Sequence, residues 1–333
     1  MNKAVLLIVF NRFDTAKKVF EAIREVKPPR LYVAADGPRK NKRGEHKKCI
    51  KVREIIKYVD WECEVKTLFR DENLGCGKAV SGAIDWFFEN EEDGIILEDD
   101  CLPNKSFFYY CEELLNYYKD NEKIMHIGSN HIGDPYSEYT YNFTSIARCW
   151  GWASWRRAWK YFDYTLKRYD YKDIERKIDS IYKDKNMQHY WKSMALGMIG
   201  YSENGIWDYQ WVISIIVNEG LCIDPNINLV SNIGFTKEGT HTFDADDIHA
   251  NLPTYNIEKI IHPPKIEKNM EIDEKILHEW FEVKYLEELI PEVERLNYII
   301  TKIIDKIAWY IPIRSVRDSW RKEFKKKMMS IKK

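Results

Sequence analysis

Glu98, Asp99 and Asp100 follow one another directly after the apolar run Ile95-Ile96-Leu97. Three carboxylates emerging where a buried strand ends repel one another unless a cation joins them. A hard divalent ion with oxygen ligands, Mn2+ or Mg2+, is the usual answer. Such an ion also neutralises charge building on a departing phosphate. A further acid, Asp208, stands between Trp207 and Tyr209, where partial desolvation raises a carboxylate's basicity and suits it to accept a proton from a hydroxyl. Asp208 also precedes the apolar series Val212, Ile215, Ile216, so helix capping is its alternative use. Arg70 carries a charge suited to phosphate; Lys78 is either a second phosphate contact or a solvated helix-face lysine. Trp150, Trp152 and Trp155 offer rings that stack on a ligand or fill a core, the core being favoured for Trp155. His241, Asp244, Asp246, Asp247 and His249 have the composition of a metal cluster, but their setting reads as a solvated lid with His241 as a diphosphate or metal contact.

These residues need elements to position them. Ala4 to Phe10 is unbroken apolar sequence rich in Val and Ile, which reads as a strand covered on both faces, as in a parallel sheet. Asp14 is placed to cap a helix with inward positions Ala16, Val19, Phe20 and Ile23. The alternation continues with a strand at Leu31 to Ala35, a helix near Val52 to Tyr58, a strand at Val65 to Phe69, a helix at Lys78 to Phe88 and a strand at Gly94 to Leu97. A helix from Asn104 to Tyr118 and a strand at Ile124 to Ile127 follow. Such alternation predicts right-handed crossovers and a doubly wound, mostly parallel α/β sheet with helices on both faces. Ligands of such sheets sit outside the carboxyl ends of the strands. The residues found there are Asn11 and Arg12, Asp36, Arg70 to Gly75, and Glu98 to Asp100. Four polar sets converging on one edge predict a nucleotide crevice.

The organisation expected is a domain over 1–265, with a nucleotide-binding half at 1–130 and an aromatic-rich second half at 131–265. Residues 234–250 lack a hydrophobic period and read as a mobile loop. Pro263-Pro264 and the charged stretch after them lead to a helical basic tail, 266–333. In the tail, Trp309, Ile311, Ile313, Val316 and Trp320 are interleaved with Arg314, Arg317, Arg321 and Lys322. That pattern suits a helix lying on a membrane surface or a solvated helix packed on its own domain. The 52 Lys+Arg against 53 Asp+Glu speak for a globular protein rather than a nucleic-acid binder. Seven scattered cysteines without a Cys-x-x-Cys pair argue against a zinc site or disulfide framework and suit a reducing cytoplasm. No stretch reaches the ~20 apolar residues that span a bilayer, so the expectation is a soluble or peripheral protein.

With these motifs in place, the chain resembles nucleotide-sugar glycosyltransferases of the GT-A type. The opening resembles bacterial family 2 enzymes: a strand ending in Phe10-Asn11-Arg12, a second ending in Asp36-Gly37, then Arg70-Asp71-Glu72-Asn73-Leu74-Gly75. Ile95 to Phe108 is similar to the eukaryotic family 13 N-acetylglucosaminyltransferase, as are Trp150-Gly151-Trp152 and Trp207-Asp208-Tyr209-Gln210-Trp211. The likeness covers roughly residues 4 to 245. It implies that Asp100 is the metal ligand, that Asp99 approaches the ribose and that Glu98 accepts donor-sugar hydroxyls. It further implies that Asp36 recognises base or ribose, and that Phe10, Asn11, Arg12, Asn73 and Gly75 complete the donor site. Asp208 becomes the catalytic base, and Trp150, Trp152, Trp207 and His241 line the sugar and acceptor pocket. Tyr209 replaces the second Asp of the family's Trp-Asp-Asp-Trp, which leaves room for a shifted base. The implied activity is inverting transfer from a nucleotide diphosphate sugar, UDP favoured, to a glycan or lipid-linked hydroxyl, on the cytoplasmic side of a membrane. A retaining transferase and a non-catalytic glycan-binding protein of the same fold are the alternatives. Nucleotidylyltransferases rank low because Phe10-Asn11-Arg12-Phe13 lacks their Gly-rich signature.

Overall fold

All six residues of Ala4–Val9 (β1) are buried, because the strand lies inside the sheet and the helices Phe13–Val26 and Cys76–Asn90 pack against it. It pairs with Arg30–Ala35 (β2) and, across the sheet, with Asp93–Glu98 (β4), while Glu64–Phe69 (β3) extends the sheet beyond β2. Between them run Phe13–Val26 (α1), Glu45–Arg53 (α2) continued by a 3-10 turn at Glu54–Tyr58, and Cys76–Asn90 (α3). The register sets Ile8 beside both Ala34 and Glu98, so the ends of β1, β2 and β4 lie level. In the computed structural model, residues 1–200, 205–235, 246–281 and 303 are described.

The chain continues through Cys101–Pro103 (β5), Lys105–Tyr117 (α4), Ile124–Ile127 (β6), Tyr141–Thr144 (β7), Trp152–Trp155 (β8) and Arg156–Trp159 (α5). Then come Tyr171–Ile181 (α6), Lys185–Gly200 (α7), Asp208–Val217 (α8), Leu221–Pro225 (β9), Val230–Asn232 (β10) and Met270–Glu279 (α9). The central sheet has the order β3-β2-β1-β4-β8-β6-β9-β7. Its pairs are parallel except where β8 and β7 join antiparallel. The helix-flanked, mostly parallel α/β arrangement expected from the sequence is the one present. The ribbon of β5 with β10 was not legible there, since three residues are too few to show a period.

Local physics differs from expectation at α1. Its N-cap is Arg12, with no side-chain cap, and Asp14 lies in the first turn, where the helix dipole favours a negative charge. Ala16, Val19, Phe20, Ile23 and Val26 form the buried stripe. The helix ends at Lys27, left-handed at φ 49, whose N–H returns to the Ile23 carbonyl as C-terminal caps do. The second helix starts at Glu45, earlier than the expected Val52, because its lysine-rich outer face hides the period.

Met1–Phe281 forms one compact unit. Helix α9 belongs to this unit through buried Ile272, Asp273, Ile276 and Leu277. Asn269 caps it, accepting the N–H groups of Glu271 and Ile272. Among the described residues no helix is long and apolar enough to cross a membrane. The basic tail beyond 281 and the loop residues 236–245, with His241 and Asp244, lie outside the described residues.

Candidate active site

The strand order runs outward from β1 through β2 to β3, then restarts on the other side with β4. At such a switch point the loops diverge and leave a crevice. Here it is a cleft of ≈ 560 Å³. The strand ends contribute Phe10, Asn11 and Arg12, Asp36 and Arg39, Arg70, Asn73 and Gly75, and Glu98 to Asp100. The facing wall is Trp150, Asn232 and the stretch from Gly205 to Tyr209.

Asp99 is buried, and Arg12 and Phe10 take up its two oxygens. The Arg12 guanidinium pairs with Oδ1, and the Phe10 N–H donates to Oδ2 at 3.3 Å. The same guanidinium reaches Asp100 Oδ2 at 2.7 Å. Burial pushes the Glu98 carboxyl above its ordinary range, and Asp100, Asp99 and Asp208 push it further. Burial likewise raises Asp99, against the pull of Arg12. For Arg12, burial works to lower the pKa, but Asp99 and Asp100 more than offset it and the guanidinium stays charged. Four carboxylates thus feel one another across a cleft in which Arg12 pairs with two.

That excess of negative charge fits a divalent cation. Among the described residues no three acidic, His or Cys side chains are grouped as a full ligand set. Asp100 lines the cleft beside Glu98, and Arg12 pairs with it as well as with Asp99. The β10 end presses on Asp100 from behind. The Ile233 N–H donates to the Asp100 carbonyl at 2.8 Å, and a Cβ on Gly234 would lie 2.2 Å from Asp100 Oδ2. Only glycine allows that approach.

Asp36 closes the opposite end. Its carboxylate accepts the N–H groups of Gly37 at 2.9 Å, Leu74 at 3.0 Å and Gly75 at 3.2 Å, and the Asn73 side-chain amide at 2.8 Å. Four donors approach the four lone-pair sites a carboxylate has, so Asp36 ties β2 to the loop entering α3. Gly75 adopts φ +80 as the N-cap of α3, a conformation that favours glycine. Asn11 donates to Glu45 at 3.0 Å, and the Arg39 guanidinium also pairs with Glu45 while lying over the Phe10 ring at 5.4 Å. Arg70 donates to the Ala79 carbonyl at 3.2 Å and lines the cleft. Lys78 is exposed on α3 and is not among the lining residues.

Asp208 stands in the first turn of α8, whose N-cap is Trp207 with no side-chain cap. Its Oδ1 accepts the Tyr209 N–H at 3.0 Å, a bond to the adjacent residue rather than the reach to a later N–H that capping requires. Tyr209 also lines the cleft, its hydroxyl 3.1 Å from that of Tyr190. Trp207 lines the cleft, and behind it Trp152 is enclosed between Trp207 at 5.9 Å and His126 at 5.0 Å. At 1% exposure Trp152 offers no face to a sugar, which corrects its placement in the pocket; aromatic residue type alone did not distinguish the two uses. Trp155 is buried. Trp150 remains on the cleft wall, packed on Trp280 at 5.0 Å. Sequence reasoning missed Arg39, Cys76, Ile206 and Asn232 among the lining residues. Arg39 follows Asp36-Gly37-Pro38 closely enough to have been found; Asn232 arrives through the β5–β10 ribbon and carried no signal.

No protein-family model matches the chain, and no curated protein matches it in sequence. Among solved structures it is similar to S. aureus TarS 1–349, at 13% identity over 69% of this chain and 59% of that one, TM-score 0.39. Others are UTP-bound UGPase from Acinetobacter baumannii, 10% identical over 70% and 88%, TM-score 0.38, and HddC from Yersinia pseudotuberculosis, 11% identical over 46% and 77%, TM-score 0.30. The chain spans less than two thirds of the TarS chain. These likenesses are partial, and the chemistry of the cleft has to be read from its own residues.

Proposed function

We propose that the chain is an inverting, divalent-metal-dependent glycosyltransferase that moves a sugar from a nucleotide diphosphate, UDP favoured, to a hydroxyl of a glycan or lipid-linked acceptor. The observation that carries this reading is the meeting of Glu98, Asp99, Asp100, Arg12 and Asp208 in a cleft at the switch point of a parallel sheet. Asp100, flanked by Glu98, is the ligand for Mn2+ or Mg2+, which when bound supplies charge neutralisation to the leaving diphosphate. Arg12 and Arg70 add positive charge at the strand ends, and the loop from Asn73 to Gly75, held by Asp36, shapes the nucleoside end. Asp208, on the facing wall, takes the proton from the acceptor hydroxyl. That oxygen bonds to the anomeric carbon while the bond from this carbon to the diphosphate oxygen breaks. A single displacement of this kind inverts the centre. Trp150, half-buried on the cleft wall, gives the acceptor side apolar surface for sugar rings.

The test is a panel of nucleotide sugars assayed for hydrolysis with and without Mn2+. The expected result is cation-dependent release of nucleoside diphosphate from one member. Release of pyrophosphate from a nucleoside triphosphate and a sugar phosphate would replace the reading with nucleotidyl transfer. Nucleotide binding without turnover of any member would replace it with a non-catalytic role.

A further inference from the structure

Residues 39–51 carry seven Lys or Arg against the single acid Glu45, in a chain whose totals are 52 and 53. Glu45 is buried and its carboxylate pairs with Arg39, so those two charges cancel and six cations remain, of which Lys40 pairs with Glu72 at 3.1 Å. Lys40, Lys42, Arg43, Lys47, Lys48 and Lys51 are all exposed. On α2, Lys47, Ile50 and Lys51 are spaced i, i+3, i+4 and share one face, and Ile50 is 48% exposed there. The patch begins at the rim of the cleft, since Arg39 lines it.

We propose that this face seats the protein on an anionic lipid surface, with the mouth of the cleft beside the headgroups. Lysine-dominated charge on the outside of a helix, with a protruding aliphatic side chain, suits a flat and diffuse negative field. A nucleic-acid strand would instead be gripped by aromatic faces between the cations. The aromatic rings nearby are engaged already: Phe13 lies under Lys51 at 4.7 Å and Tyr58 under Lys17 at 5.3 Å. Delivery of a lipid-linked acceptor to the cleft rests on the glycosyltransferase reading; the lipid contact itself does not.

The experiment is co-sedimentation of the full-length chain with phosphatidylcholine vesicles, with and without phosphatidylglycerol, at low salt. Each Lys or Arg near such a surface is worth about fivefold in affinity, so the triple variant K42Q/R43Q/K47Q should bind anionic vesicles roughly 100-fold more weakly. Ile50→Ser should weaken it further, and neutral vesicles should not retain the protein. Thermal melting and UDP titration of the triple variant should match the parent, because these exposed side chains lie outside the cleft lining. Parent-like sedimentation of the triple variant would overturn the proposal and move the contact elsewhere, as would equal retention on neutral vesicles. Patch-dependent retention of an RNA with no vesicle binding would overturn it too. Patch-dependent vesicle binding in a protein that ignores every nucleotide would uphold the lipid contact and refute the enzymatic reading alone.

Discussion

Replacing Arg12 with methionine keeps the stem of the side chain and removes the guanidinium that joins Asp99 to Asp100. The side chains are 20%, 5% and 15% exposed, enough burial for the loss to be felt. Removing one partner of a buried pair costs ~3–5 kcal/mol. Because Arg12 keeps some solvent contact and a carboxylate can take up a proton, the lower end, about 3 kcal/mol, is expected. At roughly 2–4 °C per kcal/mol for a unit of this size, melting should fall by about 6–12 °C near neutral pH. The dependence on pH has a definite sign. Burial already raises Glu98 and Asp99, and loss of Arg12 raises Asp99 further. A raised folded value means that the native state holds protons the unfolded chain has released. Its stability is therefore full below the ordinary carboxylate range and is lost as pH rises through the folded values. The deficit of the variant should widen from about pH 5 to about pH 8. Mn2+ should restore more of the melting temperature in the variant than in the parent, since the ion supplies the missing charge. Thermal melts at both pH values with and without Mn2+ measure all three effects. Parent-like melting at both pH values, or a Mn2+ shift no larger than the parent's, would refute the electrostatic account of the cleft.

Asp208→Asn should leave UDP and metal affinity in place while transfer falls by roughly 10²- to 10⁴-fold, and NMR of the product should show an inverted anomer; near-parent turnover would move the base to another carboxylate. Gly234→Ala forces a Cβ against Asp100 at a strain of about 1–3 kcal/mol, and calorimetric titration should show a weakened Mn2+ response of nucleotide binding; an unchanged response would separate Gly234 from the site. Asp273, held by Ser145 and pushed up to about 7 by burial, contributes stability that is present below about pH 4 and lost as pH rises through about 7. Denaturant melts of Asp273→Asn should lack this loss, on the order of 3 kcal/mol between about pH 5 and about pH 8, and identical pH profiles would remove Asp273 as its source.

The first half of the chain was legible because its strands are buried on both faces, so the apolar runs at Ala4, Leu31 and Ile95 announce both the strands and the edge where Asn11, Asp36 and Glu98 emerge. The fate of individual side chains there was less legible. Asp36 is engaged by the loop from Asn73 to Gly75, a long-range closure that no local pattern encodes. Arg12 reads as a loop cation, and its bridge to Asp99 and Asp100 depends on β1 lying beside β4. In the second half the short strands β5, β7, β8 and β10 follow from pairing rather than periodicity, and tryptophans at the core and the cleft look alike in sequence. Trp152 and Trp207 stack on one another, yet only Trp207 lines the cleft.

We propose above all that the acidic edge after β4 binds a nucleotide diphosphate through a divalent cation. Calorimetric titration of UDP into the protein with Mn2+ and with chelator, repeated on Asp100→Ala, tests it most directly. Binding should be tight with Mn2+, weak with chelator, and weak to the variant under both conditions. Equal affinity with and without the ion, or Mn2+-dependent affinity undiminished in Asp100→Ala, would contradict it.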